Sequence, residues 1–77
     1  MQHTPGKGCA IIRAALGLSQ IELAKHAGIG YATLARFELG TPVRPETVGK
    51  VEATLTRLAD QRGFRVWFGD RWGVRRT

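Results

Sequence analysis

Arg36 carries the most specific chemistry this sequence offers. Its guanidinium fork matches guanine O6 and N7, a bidentate contact available in the major groove of duplex DNA. Ala32 and Ala35 lie close to it along the chain, and an alanine methyl is the shape that meets a thymine methyl. The plainer reading of Arg36 is a solvated surface arginine. It becomes a base reader only if a helix holds Tyr31, Ala32, Ala35 and Arg36 outward together. The residues among them supply that helix: Leu34 and Phe37 stand at i, i+3 spacing and turn inward, which leaves the other four outside.

A reading helix needs a second helix to brace it, and residues 19–40 contain one. Ser19 is a good N-cap, and Glu22 three residues later can return the hydrogen bond in a capping box. Leu23, Ala24 and Ala27 then share a face. Gly28 can take the left-handed conformation that ends a helix, with Ile29 plugging the core behind it. Gly30 is a weaker N-cap for the second helix, expected over about 31–39, and Gly40 closes the pair. Two short helices around a glycine turn make a helix-turn-helix, the unit whose second helix lies in the DNA major groove.

Composition is consistent with that partner. The chain has 77 residues, enough for a single small domain with a marginal core that an appended element or a second copy would help. Twelve Lys and Arg against six Asp and Glu give +6, which favours a polyanion and salt-dependent binding. Charge excess alone also serves plain solubility. The single cysteine, Cys9, excludes an internal disulfide and CxxC zinc sites and is compatible with a reducing cytosol. No run is long enough to span a membrane, and the N-terminus lacks an apolar signal core.

Along the chain we expect four helices and then a change of period. Residues 1–6 read as frayed, with Pro5 and Gly6 marking the entry to a first helix over about Gly8–Leu16. Cys9, Ile12, Arg13 and Leu16 share one side of that helix, Gly17 stops it, and Leu18 turns inward. Residues 41–45 hold two prolines and must be a loop, and Pro45 can open the last helix with Glu46 at the favourable end of its dipole. Val48, Val51, Leu55 and Leu58 form its buried stripe, and Gly63 ends it.

From residue 64 the period becomes that of a strand. Phe64, Val66 and Phe68 alternate with Arg65 and Trp67, Gly69-Asp70 supply a turn, and residues 72–75 can return antiparallel. Residues 62–77 hold five arginines against one aspartate, a local +4. An isolated hairpin is marginal in water, so it must pack on something. It can cover its own helices or pair with a second copy across a two-fold axis. We expect the second, because Phe64, Val66, Trp67, Phe68, Trp72 and Val74 offer more apolar surface than so small a core needs. Truncation after Gly63 should then leave a helical monomer. Stacking of single-stranded bases on these aromatics is the weaker reading beside a helix-turn-helix.

Three segments taken together are distinctive: residues 15–24 (ALGLSQIELA), residues 27–29 (AGI) and residues 33–40 (TLARFELG). They resemble the Xre family of lambda-repressor-like DNA-binding domains over about residues 8–60. The ending, with Gly63-Phe64-Arg65-Val66-Trp67 and Gly73-Val74-Arg75, is similar to a bacterial subgroup of short members that append two strands to the helices. The resemblance implies a transcriptional regulator, often dimeric, on an operator of two half-sites.

It also implies roles for single residues. Tyr31, Ala32 and Arg36 fall at base-reading positions, and Gln20, Thr33 and Arg44 at phosphate-contacting ones. Arg13 and Glu38 match an internal ion pair that ties the first helix to the third. Two departures matter. Gly30 replaces the usual Ser or Thr cap, a loss of a few tenths of a kcal/mol. Ala32 is smaller than the polar reader common there, so specificity rests on fewer contacts, and Tyr31 can alternatively lie along sugar or phosphate.

Catalysis finds no support in the sequence. His3 and His26 are far apart and outside any metal-ligand spacing, and Pro5-Gly6-Lys7-Gly8 lacks the full phosphate-loop pattern. The expectation is a mainly α, four-to-five-helix lambda-repressor-like domain over residues 1–62 with a two-stranded, dimerising β element over 63–77. It should act on double-stranded DNA as a cytoplasmic homodimeric repressor, without catalytic residues, metal, cofactor, membrane or small-molecule ligand. The alternative is an antitoxin-like or anti-regulator module whose hairpin binds a partner protein.

Overall fold

Pro5 opens a helix three residues earlier than the sequence periodicity suggests. The structure, a computed structural model, describes residues 5–77 and runs α1 (Pro5–Ala15), α2 (Gln20–Ala27), α3 (Tyr31–Glu38), α4 (Pro45–Gln61), β1 (Phe64–Trp67) and β2 (Gly73–Arg76). Pro5 and Gly6 are therefore helical instead of frayed, while the expectation for positions 1–4, and with it His3, lies outside the described residues. Proline suits a first helical position because its missing N–H would have no partner there. Gly6 explains the rest: a Cβ on it would overlap the Phe37 carbonyl oxygen, so only glycine lets α1 approach the end of α3 this closely.

The other helix ends follow local chemistry. Gly17 and Gly28 both take positive φ, 74° and 69°, at the close of α1 and α2. The Ile29 N–H then bonds back to the Ala24 carbonyl at 3.1 Å, and Ile29 packs half-buried on the core. Pro45 occupies the first turn of α4, with Glu46 beside it.

The core gathers Cys9, Ile12 and Leu16 of α1, Leu18, Leu23 and Ala24 around α2, Leu34 and Phe37 of α3, and Val51, Leu55, Leu58 and Ala59 of α4. Val48 of the expected stripe is only half-buried. Thr54 joins the buried face of α4, which apolar spacing alone passes over.

The strands form an antiparallel pair in the register Phe64↔Arg76, Arg65↔Arg75, Val66↔Val74 and Trp67↔Gly73. β1 packs on α4 and β2 on α1. The hairpin thus covers its own helices, the arrangement the sequence reading ranked second. Phe64, Val66, Phe68 and Val74 lie half-buried against the core. Trp72, expected at a two-fold interface, is 4% exposed inside the chain's own core. Its ring meets Phe68 edge-on at 4.6 Å between centroids and Phe37 at 6.0 Å. This happens because the strands stop at Trp67 and resume at Gly73, so the connection 68–72 folds both rings inward. Of the six aromatic and aliphatic residues expected at an interface, Trp67 alone counts among the exposed large hydrophobics, at 44%.

Candidate nucleic-acid interface

Building a DNA-reading surface requires that α3 be rigid on one side and unencumbered on the other. The turn that launches α2 is fixed by a complete capping box: the Ser19 hydroxyl accepts from the Glu22 N–H at 3.1 Å, and the Ser19 N–H donates to Glu22 Oε1 at 2.8 Å. The Ser19 N–H, chiefly, holds the Glu22 carboxyl below the usual carboxylate range. At α3 the cap is Gly30, extended at φ −70° and ψ 144°, with no side-chain hydrogen bond. The first N–H groups of α3 therefore lack a side-chain acceptor, and they suit an anionic oxygen.

Leu34 and Phe37 are buried beneath α3. On the outside stand Tyr31, 53% exposed, with Ala32 and Arg36, while Thr33 and Ala35 are half-buried at the margin. Arg36 makes no ion pair or hydrogen bond with any described residue. The structure thus brings Tyr31, Ala32 and Arg36 onto one open face. Leu39, just beyond the helix, is 85% exposed, and periodicity gave no reason to single it out.

The far end of α3 is held by a polar cluster. Glu38, whose side chain is 5% exposed, accepts from Arg13 Nε at 2.9 Å, Arg13 Nη2 at 3.0 Å, Gln20 Nε2 at 2.8 Å and the Cys9 thiol at 3.4 Å. Arg13 also donates Nη1 to the Leu18 carbonyl at 2.9 Å. One carboxylate thereby joins α1, α2 and α3, and the bidentate fork gives the joint a defined angle. Its hydrogen bond to Glu38 raises the Arg13 pKa, keeping the guanidinium charged. Burial, and then the Glu38 charge, push the Cys9 thiol up, so it remains S–H and can donate.

Sequence reasoning placed Arg13 beside Glu38 but missed Cys9 and Gln20 in the cluster. No local signal links Gln20 to Glu38, eighteen positions apart. Gln20 was expected to face phosphate; its amide is instead donated to Glu38 within the cluster and has no other partner among the described residues. Arg44 is exposed as the N-cap of α4, where its carbonyl accepts from the Thr47 and Val48 N–H groups. Its side chain has no partner among the described residues.

No helix among the described residues is long and apolar enough to cross a membrane. Neither a curated protein nor a solved structure matches the chain. A family model described as helix-turn-helix matches residues 10–57, more than half of the chain, and spans α2, the Gly28 turn, α3 and most of α4. The mainly helical fold with its terminal β pair, the exposed face of α3 and that match lead to one conclusion: the chain belongs to the Xre, lambda-repressor-like family of helix-turn-helix DNA-binding transcription regulators.

Proposed function

We propose that this chain is a sequence-specific repressor that lays α3 in the major groove and occupies a two-half-site operator as a dimer, in the cytoplasm on the nucleoid. One observation carries the reading: Tyr31, Ala32 and Arg36 stand exposed on one face of a helix whose opposite face and far end are locked by Leu34, Phe37 and Glu38. Arg36 is the proposed guanine reader, Ala32 the methyl contact, and Tyr31 the residue at the groove edge. Gln20, Thr33 and Arg44 are the proposed phosphate contacts, fixing register without reading sequence.

The dimer reading now rests on the strand edges. The Thr77 N–H bonds to the Gly63 carbonyl, so in antiparallel alternation Phe64 and Val66 of β1, and Val74 and Arg76 of β2, turn their backbone groups outward. Such an edge pairs readily with a second strand, and the operator reading requires that a two-fold pairing set the two α3 helices about 34 Å apart or at a multiple of it. The apolar side of the hairpin is occupied by the chain's own core, which weighs against a partner-protein dock there.

The test is selection of bound duplexes from a random pool, followed by Arg36→Ala on the selected site. A loss of about 1–3 kcal/mol on that site, with little change on random DNA, is expected. Equal losses on both would assign Arg36 to phosphate. Sedimentation of the full chain, with footprinting of the selected duplex, checks the dimer: one protected half-site and a monomeric mass would overturn it.

A further inference from the structure

The solvent face of the hairpin is built from four residues, and its composition is unusual. Register places Arg65 directly opposite Arg75 and Trp67 directly opposite Gly73, on the strand face opposite to that of Phe64 and Val66, with Arg65 also lining a surface cleft beside Arg57 and Asp60 of α4. Like charges across a strand pair are destabilising, and neither arginine has an ion-pair partner among the described residues. Gly73 is the other half of the device. A Cβ there would overlap the Trp67 indole, so the ring lies across the glycine and still leaves 44% of the residue in water. The result is an indole lodged on backbone, with two arginines that form no ion pair with any described residue on the same strand face.

We propose that this face is a second nucleic-acid site, one that binds single-stranded nucleic acid by stacking an unpaired base on Trp67 and holding an adjacent phosphate between Arg65 and Arg75. A cation pair next to an aromatic platform matches the alternation of phosphate and base along a single strand. In a duplex the base faces are already stacked and unavailable to Trp67. The hairpin packs chiefly on α1 and α4, whereas the base-reading candidates are on α3, so the two sites draw on different elements. It does not rest on the dimer: edge-to-edge pairing of strands would leave this face open. Unpaired DNA and RNA share the recognising chemistry.

The chain reports its own binding, because Trp67 is exposed and the other tryptophan, Trp72, is buried. Oligo(dT) and oligo(rU) of about ten nucleotides, within the span of a small stacking surface, are titrated at low salt while tryptophan emission is followed. Saturable quenching by either oligomer is expected, and the stronger of the two identifies DNA or RNA as the source. Read by the anisotropy of the same oligomers carrying a terminal fluorescein, so that variants without the reporting indole are measured too, Trp67→Ala should weaken binding roughly 5- to 150-fold, the stacking value of one base, and Trp67→Phe should retain most of it. Arg65→Ala with Arg75→Ala should lower the slope of log K against log salt by about 1.4. All these variants should bind the selected duplex as the parent does, which also verifies that they fold. Absence of saturable quenching would overturn the proposal, as would undiminished single-strand binding by Trp67→Ala. A Trp67 emission shift that follows protein concentration alone would overturn it too, assigning the face to a second copy.

Discussion

Removing the Glu38 carboxylate tests whether the α1–α2–α3 joint is an energetic unit. Glu38→Ala would leave Arg13 Nε and Nη2, Gln20 Nε2 and the Cys9 thiol without their common acceptor. Breaking a fully buried ion pair costs about 3–5 kcal/mol, and an exposed one at most about 1. Glu38 is 5% exposed but Arg13 is 20%, and Arg13 keeps its bond to the Leu18 carbonyl. Water can therefore rescue part of the guanidinium, and the loss should be about 2–3 kcal/mol. In a domain of this size each kcal/mol moves Tm by about 4–8 °C, so Tm should fall by about 8–24 °C. Glu38→Gln, which keeps one carbonyl acceptor, should lose roughly half as much. The assay is thermal unfolding by circular dichroism of Glu38→Ala, Arg13→Ala and the double variant. The double-mutant cycle should show coupling of at least about 1 kcal/mol; losses that add to within about 0.5 kcal/mol would refute the joint.

Further outcomes follow from the same geometry. Arg44→Ala should weaken selected and random duplexes by similar factors and reduce the salt slope by about one, read from binding isotherms at several salt concentrations. Trp72→Ala should cost about 3–5 kcal/mol in denaturant unfolding, because the ring fills the chain's own core beside Phe37. For the same reason truncation after Gly63 should open the core, and a truncated chain with the parent's Tm would show that Trp72 contributes little. Glu22 has a depressed pKa, caused first by the Ser19 N–H, so its contribution is complete above the unfolded-state carboxylate value and fades as pH falls through the lower folded-state value. Glu22→Gln should lose that portion of the acid sensitivity in Tm-versus-pH curves, and identical curves for parent and variant would refute the cap's ionic character.

The helix-turn-helix was legible in the sequence because every signal that defines it acts over four residues or fewer. Ser19 and Glu22 reach each other across one turn, Gly28 needs only its own φ, and Leu34 and Phe37 declare a face by spacing. Those same local facts left Tyr31, Ala32 and Arg36 outward, so the candidate reading surface followed from the helix itself. The strands were legible as well, from alternation through Phe64–Trp67. What spacing does not contain is the destination of a face. Trp72 has the same type and neighbours whether it meets a second copy or Phe37, and only the inward fold of residues 68–72 brings it to Phe37. Gly6 was expected at the frayed entry to the first helix, and only the close approach of α3, which excludes a Cβ there, shows why a glycine stands inside that helix. Glu38 could be matched to Arg13 by resemblance, but its bonds to Gln20 and Cys9 exist only once three helices meet at one carboxylate. Local hydrogen bonds and periodicity are written along the chain, whereas these contacts depend on which surfaces packing presses together.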